Sequence, residues 1–227
     1  MTERTAAQVK ERHIEIMGPE LGSIYNALWN EVAWLFTNWQ EYVELFGTKP
    51  SRIELLNRAA SGFFSMLQDR LWDDTLLHIA RLTDLPRTGR KENLTVCRLP
   101  EHITAEEPKK AVQAKIDVVL PKIEFARDWR NRRIAHSDLE LKVAIGAEPL
   151  EPASRAMVWE AVRGIADVLN AVSYHYENST TAFEGVGRTG GAVELLHVLD
   201  DGLRFAEERS ARRRTGEYRA DDINRDI

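Results

Sequence analysis

Between Lys122 and His136 the chain gathers five cations, Lys122, Arg127, Arg130, Arg132 and Arg133, against two acids, Glu124 and Asp128. Five minus two gives +3, with His136 adding to it on protonation. Imidazole titrates near neutral pH and exchanges a proton readily, while planar guanidinium donors match the oxygens of a phosphate. Together they suit phosphodiester cleavage. On RNA, a histidine beside the ribose removes the 2′-hydroxyl proton, this oxygen attacks the adjacent phosphorus, and an arginine stabilises the charge growing on the non-bridging oxygens. That chemistry needs no metal and no cofactor. A structural reading competes with it: the arginines neutralise Glu124, Asp128 and neighbouring acids on an exposed helix end, and His136 caps the last turn through the helix dipole.

Other patterns carry less. Gly185-Val186-Gly187-Arg188-Thr189-Gly190 matches G-x-G-x-x-G, but a dinucleotide loop must follow a buried strand, and Glu177-Asn178-Ser179-Thr180-Thr181 stands there instead. These glycines read as a hinge before the last helix. Asp74 and His78, four apart, supply only two metal ligands and read as a hydrogen-bonded pair on a bundle edge. His13, His102, His175 and His197 have no partner pattern. Cys97 is the only cysteine, which excludes an intrachain disulfide and a multi-cysteine metal site.

Arg130-Asn131-x-x-x-x-His136, together with Ile134-Ala135-His136-Ser137-Asp138 and the upstream string from Leu71-Trp72-Asp73-Asp74 to Leu82-Thr83-Asp84, resembles the HEPN superfamily of helical-bundle proteins, and the abortive-infection (AbiU-type) branch in particular. The resemblance covers about residues 18–178 as a helix pattern. It implies a metal-independent endoribonuclease, a toxin or antiphage effector, with Arg130 and His136 catalytic and Asn131 as an orienting polar residue; in that reading the neighbouring Arg127, Arg132 and Arg133 hold the substrate backbone. It also implies an RNA substrate, a homodimer whose motifs face each other across a cleft, and an antitoxin partner. Asp138 stands where some HEPN toxins carry a tyrosine modified by a nucleotidyltransferase antitoxin, so the resemblance does not extend to that route of silencing. The alternative is a catalytically silent HEPN-like module that dimerises or docks a partner.

On an ideal helix, six residues at about 100° each leave Arg130 and His136 roughly 120° apart. Their convergence needs a helix end or bend near Ile134, or a partner chain. The positioning elements are legible upstream. Residues 18–46 repeat apolar side chains by threes and fours, with Pro19 in the first turn and Gly47 at the exit. A second amphipathic helix opens with the capping box Ser51-Arg52-Ile53-Glu54, carries a core stripe that includes Phe63, Phe64 and Trp72, and ends before Pro86 and Gly89. A short helix lies near Leu94–Leu99. Thr104-Ala105-Glu106-Glu107 caps a third long helix that runs toward His136 with a bend at Pro121. The stretch from Leu139 to Ile145 reads as a loop, and no strand pair is convincing. A fourth helix uses Met157 to Val172, and a last one runs from Val193 to about Arg213.

The fold class is all-α, a bundle of four or five main helices. It divides into an N-terminal helical segment 1–17, a bundle 18–178, and a Gly-rich joint with C-terminal helix and charged tail 179–227. The chain has 227 residues, 43% of them hydrophobic and 30% charged, which suits a globular core with an extensive charged surface. A net charge of −5 gives no global attraction to a polyanion. From Asp201 onward seven arginines are matched by seven acids, which reads as a solvated extension. No apolar run is long enough to cross a bilayer and no secretory h-region opens the chain, so a cytoplasmic protein with no membrane partner is expected.

Overall fold

Leu21, Tyr25, Leu28, Val32, Leu35, Phe36 and Trp39 repeat at helical spacing, and all seven are buried. They lie on α2, Pro19–Phe46. In this computed structural model, residues 5–135, 149–185, 190–217 and 219 are described. Ahead of α2 stands α1, Ala6–Met17, opened by a capping box in which the Thr5 hydroxyl accepts from Gln8 N–H and the Gln8 side chain accepts from Thr5 N–H. Gly18 joins the two helices at φ +85°. Gly22 lets their backbones meet, because a Cβ there would collide with the His13 carbonyl.

Helix α3, Pro50–Leu82, starts two residues earlier than the capping box predicted. Arg52 N–H bonds Lys49 O, so Ser51 sits inside the first turn, where Pro50 needs no donor. The backbone leaves helical geometry at Ala60. The expectation that the aromatics of this helix are core fails at Phe63, which is 54% exposed, although Phe64 is buried.

After α3 comes a hairpin that the sequence pattern did not signal, with Arg87–Thr88 paired to Lys91–Glu92. The short helix expected near Leu94 is a 3₁₀ segment, Val96–His102. Helix α4, Glu106–Val119, takes Ala105 as its N-cap with no side-chain hydrogen bond, so the Thr104 box is not used; Glu106 and Glu107 instead favour the positive helix end. The bend at Pro121 is present as a 3₁₀ turn, Leu120–Ile123, leading into α5, Glu124–Trp129. Then come α6, Arg155–Glu177, capped by the Ser154 side chain, and α7, Ala192–Thr215.

The chain separates into two units. The first is Met1–Trp39 with Leu71–Gly187. Its core sets Val158, Val162, Ile165 and Leu169 of α6 among Val112, Ile116 and Val119 of α4, with Phe183 stacked on Phe36 at 5.4 Å between centroids. The second is Gln40–Arg70 with Arg188–Ile227. Within it Arg58 pairs with Glu207 at 2.6 Å, and the Glu41 carboxylate accepts from Ala192 N–H at the start of α7. No helix among the described residues is long and apolar enough to cross a membrane.

Candidate active site

The site is built where the end of α3 meets the end of α5. Beyond Trp129 the helix widens: Arg130–Ile134 forms a π turn, closed by Ala135 N–H donating to Arg130 O at 2.8 Å. Extra-wide turns of this kind occur disproportionately at functional sites.

Arg130 donates through Nη1 to Asp84 Oδ1 at 2.6 Å and through Nε to Asn131 Oδ1 at 3.0 Å. Its side chain is 22% exposed and that of Asp84 29%, so the pair is partly screened by water. A guanidinium has five N–H donors, and the other three of Arg130 have no partner among the described residues. Asp84 is itself held. It lies just past the end of α3, and the buried Thr95 hydroxyl bonds the carbonyls of both Leu82 (2.9 Å) and Asp84 (2.8 Å), two groups the helix end leaves without an internal partner.

The remaining arginines are also paired. Arg127 reaches Glu124 at 2.7 Å and the Thr83 carbonyl at 2.8 Å. Arg132 lies 3.6 Å from Asp128 and donates to Pro149 O at 3.3 Å. Arg133 lies 3.6 Å from Asp73 and 4.9 Å over the Trp129 ring. The Trp129 indole packs edge-on against Trp72 and donates to Glu151 O at 2.9 Å. His136 lies outside the described residues, as do Ser137, Asp138, the Leu139–Ile145 loop and residues 186–189 of the glycine-rich string.

The sequence motif is +3 on its own, but folding brings Asp73 and Asp84 to it. Four arginines then face four acids, Asp73, Asp84, Glu124 and Asp128. Glu124 and Asp128 were readable as partners from their spacing. Asp73 and Asp84 were not, although both lie in the Leu71–Asp84 string that carries the family resemblance. Its Trp72, Asp73, Thr83 and Asp84 all touch Trp129 or the arginines of the motif.

Nothing nearby among the described residues suggests a competing chemistry. Burial raises the Cys97 thiol pKa, against the hydrogen bond to Thr95, and its Sγ lies 3.6 Å from Thr83 O. That is not an activated nucleophile. His78 bonds Glu31 at 2.8 Å and Asp74 accepts from Asn38 at 3.0 Å, so the expected Asp74–His78 pair is divided between two partners on α2. No group of three or more His, Cys, Asp or Glu among the described residues is arranged to hold a metal.

The fold and the two interlocked strings define an all-α, HEPN-like protein. A family model of the HEPN group described as AbiU2 matches residues 18–188, well over half of the chain, and the chain belongs to that abortive-infection family. Comparison with curated proteins gave no match, and neither did comparison with solved structures.

Proposed function

We propose that this protein is a metal-independent endoribonuclease of the HEPN type, acting as a toxin or antiphage effector. His136 takes the 2′-hydroxyl proton, the freed oxygen bonds to phosphorus, and the bond to the 5′ oxygen breaks, leaving a 2′,3′-cyclic phosphate and a 5′-hydroxyl end. Arg130 stabilises the charge on the non-bridging oxygens. Arg127, Arg132 and Arg133 hold the backbone on either side, and a second copy of the chain supplies the acid for the leaving oxygen.

The observation that carries this reading is the Arg130-Asn131-x-x-x-x-His136 string inside an AbiU2 domain, with its arginine oriented from two sides by Asp84 and Asn131 while keeping donors for a phosphate. A second reading, a catalytically silent binding module, is favoured by the acid partner that each arginine of the motif already has. Incubating the purified chain with RNA in EDTA separates them. Cleavage that leaves cyclic phosphate ends and is lost in His136→Ala and Arg130→Ala supports the nuclease. Intact RNA, or equal cleavage by His136→Ala, supports the module.

A further inference from the structure

Every arginine of the motif has an acid partner, so a phosphate reaching it must displace a carboxylate. Cations without such a partner stand close by in the chain, at the tip of the hairpin that follows Asp84. Residues 85–98 carry Arg87, Arg90, Lys91 and Arg98 against Glu92 alone, and four minus one gives +3. Glu92 accepts from Arg87 at 3.0 Å and from Arg98 at 2.9 Å. The side chains of Arg90 and Lys91 are exposed and make no hydrogen bond or ion pair with any described residue. Their place is set by the turn. Thr88 pairs with Lys91, which leaves Gly89 and Arg90 as a two-residue loop, and Gly89 takes the φ of +62° that its first position requires.

A two-stranded hairpin this short is marginal alone, and cross-links fix its base to the site. The Asn93 amide donates to Leu85 O and to Thr88 Oγ1, both at 2.8 Å, and Asn93 N–H donates to Pro86 O at 2.9 Å. Thr95, two residues on, holds the carbonyl of Asp84, whose carboxylate holds Arg130. One hydrogen-bonded network therefore joins the hairpin to the arginine of the motif. Six residues of chain keep the Cα atoms of Arg90 and Asp84 within about 22 Å of each other. In a chain of net charge −5, two exposed cations with no acid to displace are suited to hold a polyanion that lies at Arg130.

We infer, on the nuclease reading above, that Arg90 and Lys91 at the hairpin tip bind the phosphate backbone of single-stranded RNA flanking the linkage at Arg130.

The test uses the full-length His136→Ala protein and a fluorescein-labelled oligouridylate in EDTA, with anisotropy followed across KCl concentrations. Arg90→Ser with Lys91→Ser lowers the slope of log affinity against log salt by about 1.4, two contacts at about 0.7 each. Arg90→Lys, which keeps the charge, leaves the slope as it was. Lys109→Ser with Lys110→Ser removes the same charge from exposed positions on α4 and also leaves it unchanged. Equal slopes for the hairpin variant and its parent overturn the inference. An equal fall in the α4 variant does so too, since net charge alone then accounts for the loss. RNA cleavage by chains that keep His136 separates the two proposals. Cleavage with hairpin-independent binding overturns the hairpin site alone, whereas hairpin-dependent binding without cleavage overturns the nuclease and leaves the hairpin as a binding site. No RNA binding by any variant overturns both.

Discussion

At the residue scale, the magnitudes make the Asp84–Arg130 pair a minor contributor to the fold, which suits the orienting role that the proposed reaction would give it. Partly exposed ion pairs contribute only about 0.2–1 kcal/mol, so this one adds little to the fold. It removes rotational freedom from a long side chain whose proposed task requires a defined position, and misplacing such a group would be costly for rate. Asp84→Asn keeps the shape and removes the charge. Its unfolding free energy is expected to stay within about 1 kcal/mol of wild type in urea titrations, while the RNA cleavage rate falls on the order of ten-fold. Equal losses of stability and activity would make Asp84 a structural residue. Arg130 stood out in the sequence as one of a cluster of cations beside a histidine, and Asn131 only through the resemblance to the HEPN pattern. Asp84 did not, because an aspartate 46 positions away carries no sign of its partner until α3 and α5 are packed.

At the element scale, what was legible follows the strength of the local signal. Helices α2, α4, α6 and α7 declare themselves through apolar spacing, and Pro121 declares its bend through a missing donor. The capping boxes misled at Ser51 and Thr104, since Pro50 and the acid pair Glu106-Glu107 compete for the same helix starts. Close approaches are also invisible to periodicity. A Cβ on Gly164 of α6 would sit 2.6 Å from Cγ2 of Val119 on α4. Gly164→Ala is therefore expected to destabilise by about 1–3 kcal/mol through overpacking, despite its better helix propensity. Val119→Ala in the same chain removes the obstructing methyl and recovers part of the loss, measured as a double-mutant cycle in thermal unfolding. Between α3 and α2, His78 is held below its usual pKa by burial, with Glu31 and then Asp74 opposing and Arg81 assisting. The folded state keeps the imidazole neutral while the unfolded chain protonates below about 6.5. The stability it allows is thus complete above that pH and is lost as pH falls toward the depressed folded value. His78→Gln is expected to flatten that part of a stability–pH profile between pH 7 and 5. An unchanged slope would show that another group dominates acid loss.

At the scale of the whole molecule, net charge opposes capture of any RNA, and each arginine of the motif already has an acid partner. The chain carries −5, so its far field repels a polyanion, and capture depends on contacts inside a Debye length of about 8 Å. Beside the hairpin, two arginine groups compete for that role: the motif set Arg127, Arg132 and Arg133, and the α7 set Arg212, Arg213 and Arg214. The motif set stands on a helix end beside Arg130, where a phosphate must lie for the proposed chemistry. The α7 set belongs to a helix whose opposite end is acidic, a pattern suited to pairing with protein. Each phosphate neutralised on a single strand adds about 0.7 to the slope of log affinity against log salt. A motif arginine that exchanges Asp128 or Asp73 for a phosphate frees a carboxylate that attracts cations, so its contribution falls below that value. Binding of a labelled RNA to the His136→Ala protein, followed by anisotropy across KCl concentrations, is therefore expected to give a slope of less than about 0.7 per motif arginine. Adding Arg132→Ala and Arg133→Ala makes the dependence shallower still, while Arg212→Ala, Arg213→Ala and Arg214→Ala together leave it unchanged. The reverse pattern would assign RNA capture to the α7 arginines and with it remove the physical basis for reading the motif as the place where the strand is cut.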